Sequence, residues 1–204
     1  MTHRQNHGDR LHLSLNAPAV LGFAALCLLA QLLSLLTGGA SNTAVFSVYR
    51  ASLLNPLTWL RMVTHVFGHT GWDHLIGNLM YILILGPMLE EKYGTSNLIF
   101  VMLAAALATG LIQFVFFPGT RLLGASGVVF AMILLSSITG DETKSIPLTF
   151  ILVAVLYIGQ QIYQAFAVQG NISYMAHIVG GLVGAALGFT MRHFGMDRAR
   201  HAGV

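Results

Sequence analysis

Apolar residues run along this chain in six long stretches, near residues 17–37, 73–90, 97–117, 124–140, 146–164 and 174–193, with short polar breaks between them. Each comes close to the roughly 17–25 residues that a helix needs to cross the hydrocarbon of a bilayer. The pattern predicts an all-α, polytopic membrane protein with six transmembrane helices over residues 17–193. Polar tails at 1–16 and 194–204 flank them. No small-residue cleavage pattern follows the first stretch and further spans come after it, so it is read as a retained helix rather than a signal peptide.

Composition supports this reading. Hydrophobic residues make up 55% of the chain and charged ones 8%, against about 25% charged in a soluble domain. The formal charge of +3 is spread through short loops rather than gathered in a patch, which argues against nucleic acid as a partner. The single Cys27 excludes an intrachain disulfide, a four-cysteine metal site and a redox pair; an inert, buried thiol is expected. Six spans place Arg4, Arg10, Lys92, Lys144, Arg192, Arg198 and Arg200 on one side and Arg50, Arg61 and Arg121 on the other. The positive-inside rule then puts both termini in the cytoplasm, and the short tails favour a bacterial inner membrane.

The connection at 38–72 is far longer than the others and carries Trp59, Arg61, His65, His69 and Trp72. Such a segment suits the headgroup region, where tryptophan anchors and arginine meets phosphate. His65 and His69 stand four apart and could ligate a metal if helical, but no nearby carboxylate completes a site. A structural hydrogen-bonding role is expected for them, and no metal. Arg61 also reads as structural, and Glu90 as a tie between the inner loop and a neighbouring helix end.

Function in such a chain shows where polar groups stand at the ends of apolar helices, because burying them is costly unless they are used or partnered. The span count brings the starts of the second, fourth and sixth helices to one face. There they carry His74 with Asn78, Ser126, and His177. His74 and Asn78 are one turn apart on one helical face. Gly124-Ala125-Ser126-Gly127 leaves open space around a serine. Gly180, Gly184 and Gly188 follow His177 on its own side of the last helix and demand a close neighbour. If that neighbour is the fourth helix, the imidazole comes to the Ser126 hydroxyl, which needs a base to act as a nucleophile. Asn78 and His74 then suit an oxyanion site. Asp73 is the only acidic residue on these helix ends, so a two-residue dyad is the economical arrangement.

These residues resemble the rhomboid family of intramembrane serine proteases, whose hallmarks are a Gly-x-Ser-Gly serine, an Ala-His-x-x-Gly-x-x-x-Gly last helix and a His-x-x-x-Asn second helix. The chain has Gly124-Ala125-Ser126-Gly127, Ala176-His177 with Gly180 and Gly184, and His74 with Asn78, in that order. Arg61, His65, His69, and Glu90 four before Gly94, extend the likeness over about residues 56–192. The resemblance implies a six-helix bundle with Ser126 as nucleophile and His177 as general base and then acid. It implies His74, Asn78 and the Ser126 amide as oxyanion donors, Gly124, Ala125, Gly127 and Phe130 beside the substrate, and no cofactor. Substrates would be transmembrane helices that unwind near the outer face, entering past the fifth helix and the 164–171 loop, with small side chains at the cut. Two departures stand out: Phe130 replaces a tyrosine whose ring, in many bacterial members, packs against the catalytic histidine, so stacking is expected to survive and a hydroxyl contact is not; and Trp59 is one place off the usual Trp-Arg pair.

Two other classes remain open. A catalytically inactive rhomboid-like adaptor would bind transmembrane helices, but such relatives typically lack the serine or the histidine. A small transporter built on His65, His69, His74 and His177 is disfavoured because no inverted repeat shows and the spans read as uninterrupted by proline.

Overall fold

The computed structural model describes residues 15–138, 146–167 and 173–194. Their regular elements are helices: α1 (Pro18–Leu36), α2 (Ala40–Ala44), α3 (Pro56–Thr64), a 3-10 turn (His65–Phe67), α4 (Trp72–Tyr93), α5 (Thr95–Phe116), α6 (Ser126–Ser137), α7 (Leu148–Ala167) and α8 (Ser173–His193). Each expected apolar stretch therefore holds a helix. By length and apolarity α1, α5 and the Tyr174–His193 part of α8 can cross a membrane. The 22 residues of α4 include Asp73, Glu90, Glu91 and Lys92 near its ends, and α6 has 12 residues. The inner connection at 141–144 and the tails before residue 15 and after residue 194 lie outside the described residues, as does the 168–171 part of the 164–171 loop. That loop is helical up to Ala167.

One expectation is corrected: Pro87 lies inside α4. Proline has no N–H to give the carbonyl of Leu83, yet α4 continues to Tyr93. It ends at Gly94, whose φ of 84° is open to glycine at little cost, and α5 starts at the next residue.

The bundle is built around α6. Val128, Val129, Ala131, Met132, Ile133, Leu134 and Leu135 are all buried, and α4, α5, α7 and α8 pack around them. A helix apolar all round belongs in such a centre. Its closest partner is α8, because a side chain on Gly180 would collide with the carbonyl of Gly127, and one on Gly184 with that of Ala131. A Cβ on Gly188 would come within 2.9 Å of Ile138. On the periphery, Leu28, Leu29, Leu32, Leu33, Leu103, Leu107 and Leu111 of α1 and α5 are exposed, giving the bundle a lipid-compatible rim.

The 38–72 connection is folded. Asn55 caps α3 by accepting a hydrogen bond from the Leu57 amide at 3.0 Å, and Pro56 takes the first helical position, where its missing N–H is harmless. Arg61 Nε donates to the Ala44 carbonyl at 2.8 Å, and its guanidinium stands 4.6 Å over the Tyr49 ring. Val48 and Leu122 exchange two backbone hydrogen bonds of 2.9 and 3.0 Å. Trp59 and Trp72 stay exposed. Arg61 is thus structural, as expected.

Glu90 also has the expected role. Ala17 provides no side-chain cap for α1, and the buried Glu90 carboxylate instead accepts from the amides of Ala19 at 3.0 Å and Val20 at 3.1 Å. Thr95 Oγ1 donates to it at 2.8 Å. A negative group at a helix N-terminus satisfies orphan donors and opposes the helix dipole. Glu90→Ala is expected to cost about 1.5–3 kcal/mol, the range for hydrogen bonds to a charged group, read as a lowered thermal midpoint in detergent. An unchanged midpoint would remove Glu90 from this role.

His65 is 1% exposed; its Nδ1 lies 3.2 Å from the Arg61 carbonyl and its Nε2 3.2 Å from Thr109 Oγ1. Burial pushes its pKa down to about 4 from 6.5, so the folded protein keeps it neutral. Between those values the unfolded chain binds a proton that the folded one refuses. Stability is therefore complete above about pH 6.5 and falls as pH drops towards 4. Thermal midpoints at pH 7.5 and 5 are expected to differ in that direction, and by less in His65→Asn; an equal difference in both proteins would contradict it.

Candidate active site

Ser126 is the first residue of α6, after Ala125, so its amide is among those with no carbonyl partner inside the helix. The preceding Gly124 has φ 130°, a conformation that L side chains rarely adopt. Its amide donates to the His65 carbonyl at 2.9 Å. A Cβ there would stand 2.7 Å from His74 Cε1 and 2.8 Å from His74 Nε2. Glycine is therefore required twice over at this position, and the His74 ring lies directly beside the turn into α6.

On the other side of Ser126, a Cβ on Gly127 would lie 2.9 Å from Thr109 Cγ2 and 3.4 Å from the carbonyl of Ala176. The residue before His177 thus abuts the residue after Ser126. The His177 imidazole stacks on Phe130, with ring centroids 4.4 Å apart and planes 10° apart, and Tyr174 meets its edge at 6.4 Å. Phe130 in turn meets Tyr157 of α7 edge-on at 5.7 Å. The stacking that the Phe130 departure was expected to preserve is present. Ser126 and His177 are both partly exposed, so reagents can reach them.

His74 Nδ1 lies 3.2 Å from Thr70 Oγ1, and its ring meets His69 edge-on at 5.0 Å. Asn78 is buried, and among the described residues its Nδ2 has no hydrogen-bond partner, a condition it shares with Gln31 Oε1, Asn42 Oδ1, His69 Nε2 and Gln113 Oε1. A buried amide left without an acceptor is costly, and such groups are rare unless something else completes them.

The sequence-predicted residues thus gather at the adjoining starts of α4, α6 and α8: His74 against Gly124, Gly127 against Ala176, and Phe130 on His177. Gly180 meets Gly127 as expected; Gly124 packs on His74 instead. His65 and His69 do not share a helix, because the chain turns extended at Gly68, with φ −75° and ψ 145°. Among the described residues no group of three or more potential metal-ligating side chains occurs. Sequence reasoning missed Thr70, Thr109, Tyr157 and Tyr174. Thr109 was detectable, since with Gln113 it puts two polar residues on one face of an apolar span.

The Rhomboid domain profile matches residues 56–194. The chain is 31% identical over 180 residues to the rhomboid protease GlpG of Yersinia pestis strain Pestoides F, covering 84% of this chain and 62% of that protein. It is 32% identical over 143 residues to mouse rhomboid-related protein 2, covering 64% and 47%. To the chloroplastic rhomboid-like protein 11 of Arabidopsis thaliana it is 28% identical over 151 residues, covering 67% and 54%. The chain therefore spans about half to three-fifths of these relatives' lengths. A profile match covering most of the chain, together with this helical bundle and its apolar spans, makes the chain an integral membrane protein of the rhomboid family.

Proposed function

We propose that the protein is an intramembrane serine endopeptidase that cleaves transmembrane protein substrates through a Ser126–His177 dyad, without metal or cofactor. The observation that carries this reading is the meeting of α6 and α8 at Gly127, Ala176 and Gly180, which sets the start of α6 beside His177. The named protease activity of the GlpG relative supports it.

In this reading His177 takes the proton of the Ser126 hydroxyl as its oxygen attacks the scissile carbonyl. The carbonyl oxygen becomes an oxyanion held by the Ser126 amide, Asn78 Nδ2 and His74, donors fixed in advance of the reaction. In this reading the Thr70 hydroxyl, 3.2 Å from His74 Nδ1, is the donor of that pair, so that Nε2 carries the ring hydrogen and stands beside Gly124, on the Ser126 side. The unpartnered Nδ2 of Asn78 is a donor whose acceptor arrives with the substrate. Collapse of the tetrahedral intermediate expels the amine, protonated by His177, and leaves an acyl-enzyme at Ser126. Water, deprotonated by His177, then releases the acid. Phe130 holds the imidazole plane through both stages, and Gly124, Ala125 and Gly127 leave room for a substrate backbone.

The same reading has six spans over residues 17–193, cytoplasmic tails at 1–16 and 194–204, and a site opening to the outer face of a bacterial inner membrane. Ser126→Ala is expected to abolish cleavage of a transmembrane substrate reconstituted with the protein, while leaving the fold intact. Asn78→Ala, which removes one oxyanion donor, is expected to lower kcat by about a hundred- to a thousand-fold with KM little changed. Cleavage surviving in folded Ser126→Ala would overturn the dyad, whereas no cleavage by folded wild type would leave the adaptor as the reading to pursue.

A further inference from the structure

A second concavity lies away from Ser126, between the 38–72 connection and the turn joining α5 to α6. It is a cavity of about 460 Å³ whose lining includes Arg50, Arg121, Thr43, Tyr49 and Thr120, and no carboxylate. Both arginines are exposed. Arg121 Nη1 donates to Thr43 Oγ1 at 2.9 Å, and Arg50 Nη1 donates to the Val115 carbonyl at 3.4 Å, with its guanidinium 5.5 Å from the centroid of the Phe114 ring. A guanidinium has five N–H donors, so these contacts leave most of the donor capacity at the cavity wall unused, with no ion pair to either arginine among the described residues.

We propose that this cavity binds the phosphate of an anionic phospholipid headgroup. Two arginines on one concave wall match a phosphate's oxygens by charge-assisted, bidentate hydrogen bonds. A free phosphate has the same chemistry, but the cavity's surroundings favour a lipid. Val115 and Phe116, at the end of the apolar helix α5, are 51% and 66% exposed beside Arg50, offering acyl chains a surface directly below the arginines. Exposed Trp59, Leu53 and Leu54 give the same loop an interfacial character.

Arg50 stands two residues after Val48 and Arg121 one before Leu122, the two residues joined by backbone hydrogen bonds in an antiparallel bridge. A phosphate held between the two guanidiniums fastens both sides of that bridge. From Leu122 the chain runs directly to Gly124 and Ser126, so the lipid steadies the approach to α6.

The test is native mass spectrometry of the detergent-purified protein with phosphatidylglycerol or phosphatidylcholine, with and without inorganic phosphate. Wild type is expected to retain phosphatidylglycerol on the order of tenfold better, unaffected by phosphate. The double variant Arg50→Gln/Arg121→Gln is expected to lose that preference with helical content unchanged. Equal retention of the two lipids by wild type, or a preference persisting in the folded double variant, would overturn the proposal. Displacement by inorganic phosphate would overturn the lipid as the source. The wild-type comparison decides even if the double variant does not fold, and the readout is independent of whether Ser126 is a nucleophile.

Discussion

The contact of the Gly180 backbone with the carbonyl of Gly127 sets the geometry of everything near Ser126. Lipid tails are as apolar as leucine, so helices in a bilayer gain little by hiding leucine from them; close backbone approach and dispersion hold them together instead. Gly180 and Gly184 allow α8 to lie directly on the main chain of α6. Because both contacts are backbone to backbone, they leave little freedom in the register of the two helices. His177 stands one turn before Gly180, and Ser126 one residue before Gly127, so the register of that packing is also the register of the proposed dyad.

Polar groups then lock the surroundings. His65 acts as a strut through two different atoms: its carbonyl receives the Gly124 amide, and its ring meets Thr109, whose methyl packs beside Gly127. It thus reaches both sides of Ser126 without lying in the proposed reaction path. At the other end of the bundle, Glu90 fastens α1 to the corner between α4 and α5. In an apolar medium each such group is worth having only when fully partnered. The unpartnered Nδ2 of Asn78 is notable for that reason.

Much of this was legible in the sequence because the bilayer permits few solutions. Long apolar runs had to be helices, and alternating helix direction placed His74, Ser126 and His177 at one face. The glycines after His177 announced a close neighbour, and Glu90 was read correctly as a tie and Arg61 as structural. What stayed hidden depended on distance rather than pattern. That Gly124 accommodates the ring of His74, while Gly127 meets Gly180 of α8, is set by the left-handed turn before α6, which no periodicity encodes. The roles of Thr70 and Thr109 depend on histidine nitrogens far away in sequence or across a turn. Pro87 was in plain view and was passed over because the apolar run around it was uninterrupted.

The most direct test of an activated Ser126 is labelling of the detergent-purified protein with a fluorescent fluorophosphonate, which reacts with a serine whose hydroxyl is deprotonated by a base. Wild type is expected to be labelled, and folded Ser126→Ala and His177→Ala are not. Absence of labelling in folded wild-type protein, or equal labelling of all three, would contradict a nucleophilic Ser126 activated by His177.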